Sequence, residues 1–126
     1  MSDALYREQI LEHWRNPKNF GELANATHKA FENNPLCGDE IGIALHVKGG
    51  IIEDVRFHGA GCAISMAATS LLTEVVYGKN VEDIKKIKKE DVFDLLGVAP
   101  SPSRVKCALL GFATMQKAMG IPSQML

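Results

Sequence analysis

Three apolar or aromatic residues recur every four positions near the start of the chain. This period is typical of an amphipathic helix, which we place from Asp3, an N-cap residue, to about Arg15, before an Asn-Pro pair. The stripe consists of Tyr6, Ile10 and Trp14. We expect this stripe to pack on the core.

Strict alternation of apolar with small or polar residues marks the middle of the chain. It runs from Ile41 to Val47 and again from Ile51 to Phe57, as in half-buried strands. Gly49-Gly50 between them supplies the positive φ of a tight turn, so the two segments predict a hairpin. A weaker strand is predicted from Ala26 to Asn33, and Gly59 to Gly61 is expected to break the second hairpin strand.

Helical spacing returns after the glycine break. The segment from Cys62 to Gly78 is apolar on most sides, which favours a central helix. Two short helices are predicted next, from Asn80 or Val81 to Lys89 and from Glu90 to Leu96, where a glycine stops the second. Ser103 is the expected N-cap of the last helix. The buried stripe of that helix comprises Val105, Leu109, Phe112, Met115 and Met119.

At 126 residues the chain has the length of one domain, and we expect residues 1–126 to form a single one. A hydrophobic fraction of 46% is ordinary for a globular protein, and a formal net charge of −1 gives no electrostatic basis for nucleic-acid binding. No apolar stretch approaches the roughly 18 residues of a membrane helix, and the first residues lack the pattern of a signal peptide. We therefore expect a cytoplasmic protein.

Three widely spaced cysteines are the chemically distinctive residues. They are Cys37, Cys62 and Cys107, and Asp39 follows the first by two positions. In a reducing compartment such thiols are more often metal ligands or reactive groups than disulfide partners, and an odd number leaves at least one unpaired. The alternative, that each is simply a small buried hydrophobic residue, is about as common.

Each cysteine falls where a predicted element begins or turns. A helix N-terminus favours the thiolate form, and Arg104 and Lys106 add positive charge beside Cys107. Cys37 and Asp39 share a face if their segment is extended. Three thiolates and one carboxylate suit tetrahedral zinc, and they also suit an iron-sulfur cluster in which one iron has an oxygen ligand.

The blocks around the cysteines carry a family resemblance. NPLCGD, GCAIS and RVKCALL, together with YREQILEHWRNPKNFG near the N-terminus, resemble the U-type iron-sulfur scaffold family of IscU, SufU and the N-terminal domain of NifU. The resemblance covers nearly the whole chain. It implies an α+β fold, a SufE/NifU-like sandwich in which a small three-stranded antiparallel sheet packs against helices.

By motif match, the resemblance places the ligands of a transient [2Fe-2S] cluster, or of Zn²⁺ at the same site, on Cys37, Asp39, Cys62 and Cys107. It implies a scaffold that accepts sulfur from a cysteine desulfurase, binds iron and passes the nascent cluster to apo iron-sulfur acceptor proteins. Cys37 and Cys107 are the candidate persulfide acceptors. The alternative is a zinc-dependent sulfurtransferase that relays persulfide sulfur, and a purely structural zinc site is a third hypothesis.

Two departures from the family pattern concern the segment before the last cysteine. Lys106 stands where IscU-like members have histidine, and the Leu-Pro-Pro-Val-Lys chaperone motif is replaced by Pro-Ser-Arg-Val-Lys at 102–106. These changes weaken the expectation of an Hsp70-type chaperone partner. The RVKC and GCAIS blocks are more similar to SufU, yet the insertion usual in SufU before the last cysteine is missing, so the chain lies between the subgroups.

Overall fold

The computed structural model describes residues 3–35 and 38–121. Its helices are α1 (Asp3–Arg15), α2 (Ala63–Val76), α3 (Val81–Ile84), α4 (Lys89–Leu96) and α5 (Val105–Ala118), and its strands are β1 (His28–Asn34), β2 (Asp39–Lys48) and β3 (Ile51–Ala60). A single 3-10 turn, Pro102–Arg104, precedes α5. None of the helices in these ranges has the length and apolar character needed to span a bilayer.

The three strands form one antiparallel sheet with β2 in the centre. The predicted hairpin between β2 and β3 is confirmed, and Gly49 and Gly50 have the positive φ angles, 59° and 78°, that its turn requires. The core face of β2 carries Ile41, Ile43 and Leu45, all buried. The predicted α+β class with a three-stranded antiparallel sheet packed against helices is therefore confirmed.

Two helices cover the core side of this sheet. α5 packs on β1 and β2, while α2 packs on β3 and on α5. The expectation of a central helix is confirmed, because α2 is buried along most of its length. The two helices approach closely at Gly111, where a Cβ would lie 2.9 Å from Thr69 Cβ and 3.0 Å from its Cγ2. This contact fixes how near the N-terminal ends of α2 and α5 come to each other.

Three predicted boundaries are wrong. β3 does not break at Gly59 but continues to Ala60, because Gly59 adopts a φ of 141° and lies so close to the Glu40 carbonyl that no side chain would fit. α3 ends at Ile84, well before Lys89. Ser103 does not cap the last helix, since it lies inside the 3-10 turn and Arg104 occupies the N-cap position of α5.

The predicted packing of the α1 stripe is also wrong in one residue. Ile10 is buried at 7% exposure, but Trp14 is 44% exposed. α1 instead contacts α2 through His13, whose Nδ1 lies 2.7 Å from Ser70 Oγ. Tyr6 packs its ring against Gly97, which ends α4 in a left-handed conformation with a φ of 78°. Since α1 turns its His13 face to α2, the tryptophan is left toward solvent.

Candidate metal centre

Cys62 lies at the N-cap of α2, two residues after the end of β3. Its backbone is extended, with φ −68° and ψ 167°, and its carbonyl accepts the first helical hydrogen bond, from Met66 N at 3.0 Å. The Cys62 backbone N–H donates to Asp39 Oδ1 at 3.1 Å. The thiol is thus held at the positive end of a helix.

Asp39 is the first residue of β2 and is only 4% exposed. Gly61 allows its carboxylate to approach α2, because a Cβ on Gly61 would lie 3.1 Å from Asp39 Cγ. Within the described residues, Asp39 Oδ2 is buried and has no hydrogen-bond partner. A buried polar atom without a partner costs roughly 1–3 kcal/mol and more if charged, so this oxygen is available to a cation.

Cys107 lies in the first turn of α5, as predicted, and is 2% exposed. One ligand atom each from Asp39, Cys62 and Cys107 lies within 4.8 Å of the others. The sheet, α2 and α5 therefore bring two sulfur atoms and a carboxylate oxygen to one small space. Soft thiolates together with a carboxylate fit zinc or cluster iron and do not suit magnesium or calcium, which take oxygen ligands.

Cys37, the fourth predicted ligand, lies outside the described residues. The strand positions on either side of it are defined, since Asn34 pairs with Asp39 across β1 and β2 and Gly38 N donates to Asn34 O at 2.8 Å. The segment that carries Cys37 in the sequence thus joins two strand ends, one of which supplies Asp39. Its assignment as a ligand remains a prediction.

Arg104 places a positive charge beside both described thiols. Cys62, by charge attraction and a side-chain hydrogen bond, raises the pKa of the Arg104 guanidinium above its ordinary value, and Cys107 adds to this in the same way. Sequence adjacency predicted a positive charge near Cys107. The contact with Cys62, from a different helix, comes from the packing of α5 beside α2.

Ser65 is a polar residue of this region that the sequence patterns did not single out. It lies one turn into α2, three residues after Cys62, and is fully buried. A Cβ on Gly61 would lie 3.2 Å from its Oγ, next to the Asp39 carboxylate. The sequence shows that Ser65 follows Cys62 by three residues. Only the tertiary structure shows that Ser65 is buried beside Asp39.

Comparison with known proteins finds similarity over most of the chain. The family model of the NifU-like N-terminal domain matches residues 5–121. The zinc-dependent sulfurtransferase SufU of Bacillus subtilis is 36% identical, over 93% of this chain and 90% of that protein. The iron-sulfur cluster assembly scaffold protein IscU of Aquifex aeolicus is 37% identical, over 90% of this chain and 73% of that protein.

Solved structures show the same fold. A crystal structure described as a candidate iron-sulfur cluster assembly scaffold protein for the SUF system of Fervidobacterium islandicum superposes with a TM-score of 0.76 at 30% identity, covering 94% of this chain and 99% of that one. A NifU-like N-terminal protein of Brucella abortus gives a TM-score of 0.77, covers 94% of both chains and, at 21% identity, supports the fold alone.

Proposed function

Because this chain belongs to the family of NifU-like N-terminal domains, we propose that it is a scaffold for iron-sulfur cluster assembly in the cytoplasm. It accepts sulfur from a cysteine desulfurase, binds iron and transfers a nascent [2Fe-2S] cluster to apo acceptor proteins. The observation that carries the proposal is the convergence of Asp39, Cys62 and Cys107 within 4.8 Å, with a buried carboxylate oxygen left without a hydrogen-bond partner in the described structure.

The proposed ligands of the cluster, which is cargo in this scheme, are Cys37, Asp39, Cys62 and Cys107. Cys37 is included because it precedes Asp39 by two residues. Zn²⁺ fits the same four donors, and when bound it would supply positive charge that keeps the thiols deprotonated. A hard oxygen among soft sulfur ligands is a weak match for cluster iron, which suits a cluster that is to be passed on.

Sulfur transfer to this chain follows from thiolate chemistry. A thiolate of the scaffold attacks the outer sulfur of the desulfurase persulfide, the S–S bond breaks, and the desulfurase cysteine leaves as a thiolate. The scaffold cysteine then carries the persulfide. Cys37 and Cys107 are the two candidate acceptors, and Cys107 is only 2% exposed. The Arg104 guanidinium stabilises negative charge on the sulfur atoms of Cys62 and Cys107.

Anaerobic reconstitution tests the scaffold role. The metal-free chain is incubated with a cysteine desulfurase, cysteine, ferrous iron and a thiol reductant that converts sulfane sulfur to sulfide, and we expect the visible absorption of a [2Fe-2S] cluster. When iron and the reductant are omitted, we expect one added sulfur by mass spectrometry. Asp39→Ala removes the hard ligand, so its cluster should decay more slowly and transfer more slowly. If the wild-type chain gains neither sulfur nor cluster absorption, the proposal is wrong. If Asp39→Ala merely abolishes cluster binding, then the Asp39 carboxylate is not what makes the cluster easy to transfer.

A zinc-dependent sulfurtransferase is the second candidate. It is favoured by the 36% identity to the Bacillus subtilis SufU over 93% of this chain. The same reconstitution, started from the zinc-loaded chain, separates the two, because a sulfurtransferase accelerates desulfurase turnover and retains zinc without taking up iron. A scaffold takes up two iron and two sulfide ions per cluster.

A further inference from the structure

Two buried side-chain oxygens lack a hydrogen-bond partner in residues 3–35 and 38–121. One is Asp39 Oδ2, and the other is Ser65 Oγ. Ser65 has 0% exposure, so its hydroxyl is shielded from bulk water as well as from protein partners. An unsatisfied buried hydroxyl is unfavourable and therefore needs an explanation.

Neighbouring hydroxyls of the helices behave differently from Ser65. Thr69 Oγ1 donates to the Ser65 carbonyl at 2.9 Å, and Thr73 Oγ1 donates to the Ser70 carbonyl at 2.7 Å. In α5, Thr114 Oγ1 donates to the Leu110 carbonyl at 2.8 Å. Such bonds to carbonyls one turn back are the ordinary solution for a buried helical hydroxyl. Ser65 does not use it, although it is the member of this set nearest to the metal centre.

The two unsatisfied groups adjoin the same glycine. A Cβ on Gly61 would lie 3.1 Å from Asp39 Cγ, 3.2 Å from Asp39 Oδ1 and 3.2 Å from Ser65 Oγ. The hydroxyl and the carboxylate therefore flank one small space at the start of α2. Chemically they are complementary, because the carboxylate only accepts hydrogen bonds and the hydroxyl can donate one.

We propose that Ser65 is a positioning residue of the metal centre, whose hydroxyl donates to the Asp39 carboxylate when Oδ2 binds a cation. Oδ1 already accepts the Cys62 N–H and retains a second lone pair for Ser65. The side-chain torsion of aspartate next to the carboxylate is broad, so the carboxylate can rotate toward Ser65. Two donors on Oδ1 hold the carboxylate plane and direct Oδ2 to the metal. This inference rests on the metal site of the proposed function.

Ser65→Ala should weaken metal binding without destabilising the metal-free chain. Removing the Ser65 hydroxyl deletes an atom that has no hydrogen-bond partner among the described residues, so Ser65→Ala should leave the urea midpoint of the metal-free chain unchanged or raise it. Loss of a hydrogen bond that orients a ligand typically lowers metal affinity about 10- to 100-fold. A residue with a purely structural role would instead lower the stability of the metal-free chain.

The experiment measures Zn²⁺ affinity by chelator competition and Co²⁺ binding by its visible absorption, with urea unfolding of the metal-free chain. We expect Ser65→Ala to raise the Zn²⁺ dissociation constant about 10- to 100-fold and to alter the Co²⁺ spectrum. The matched control is Thr114→Val, which removes a satisfied buried hydroxyl. It should lower the urea midpoint without changing the Zn²⁺ dissociation constant. In an Asp39→Ala background, Ser65→Ala should have no additional effect on affinity.

Three other outcomes would contradict the proposed role of Ser65. A Zn²⁺ dissociation constant for Ser65→Ala within twofold of wild type would do so and would leave the scaffold function intact. So would a lowered urea midpoint without a change in affinity, or a full Ser65→Ala effect in the Asp39→Ala background. If the wild-type chain binds neither Zn²⁺ nor Co²⁺, the metal centre itself fails, and with it both this inference and the proposed function.

Discussion

Replacing Gly111 by alanine tests how the fold brings Cys62 and Cys107 together. Gly111 lies one helical turn after Cys107, and its partner Thr69 lies two turns after Cys62. A methyl group at Gly111 would lie 2.9 Å from Thr69 Cβ and 3.0 Å from Cγ2, and closer still to Oγ1. The helices must therefore move apart, or Thr69 must give up its hydrogen bond to the Ser65 carbonyl.

Two effects on the free energy of unfolding oppose each other in this variant. Alanine is a better helix former than glycine by about 1 kcal/mol. Overpacking a core costs roughly 1–3 kcal/mol, and we use the upper end because three atoms of Thr69 would be contacted. Gly111→Ala should therefore lower the free energy of unfolding by about 2 kcal/mol. The ligands stay intact, but their separation increases, so Zn²⁺ affinity should fall as well.

Urea unfolding of the metal-free chain and Zn²⁺ competition measure the two consequences. Thr69→Ala removes Oγ1 and Cγ2, two of the three colliding atoms, and serves as the matched background. In that background, Gly111→Ala should cost much less than in wild type. If Gly111→Ala instead raised the free energy of unfolding by about 1 kcal/mol, the value expected from helix propensity alone, the reasoning would be refuted. The close packing of α2 on α5 would then not determine how close Cys62 and Cys107 lie.

Two further predictions concern charge and backbone. Arg104→Gln should slow iodoacetamide alkylation of Cys62 in the metal-free chain several-fold at neutral pH, because the thiolate loses an adjacent cation. Arg104→Lys should restore part of the rate and Lys106→Gln should leave it unchanged, whereas equal rates in Arg104→Gln and wild type would contradict the contact. Gly97→Ala should lower the free energy of unfolding in urea by about 2 kcal/mol, because a φ of 78° disfavours any side chain and the methyl would collide with the Tyr6 ring. A loss under about 0.5 kcal/mol, the range of neutral surface changes, would show that the ring yields freely.

Local chemistry determines much of the fold. The period-2 alternation on both sides of Gly49-Gly50 predicted the hairpin, because side chains of a strand alternate between faces and paired glycines favour positive φ. The apolar run after Cys62 predicted the buried helix α2. The motif blocks indicated the family. These features depend on residues close together in sequence, which is why the sequence alone was sufficient.

Other features depended on contacts between distant segments. Trp14 fits the α1 stripe by period, yet it is exposed because α1 meets α2 through His13. Glycine is typical of a strand break, yet Gly59 continues β3. Because it has no side chain, the Glu40 carbonyl of β2 can lie close to it.

The candidate metal centre also depends on contacts between distant segments. The sequence supplied three cysteines and an aspartate, but three distant segments had to pack together before Asp39, Cys62 and Cys107 could lie within 4.8 Å. That convergence depends on the glycine contacts at Gly61 and Gly111, where a side chain would hold the elements apart. Residue types and local spacing determined what the site is made of, whereas non-local packing decided that its parts meet, because close approach depends on both surfaces at once.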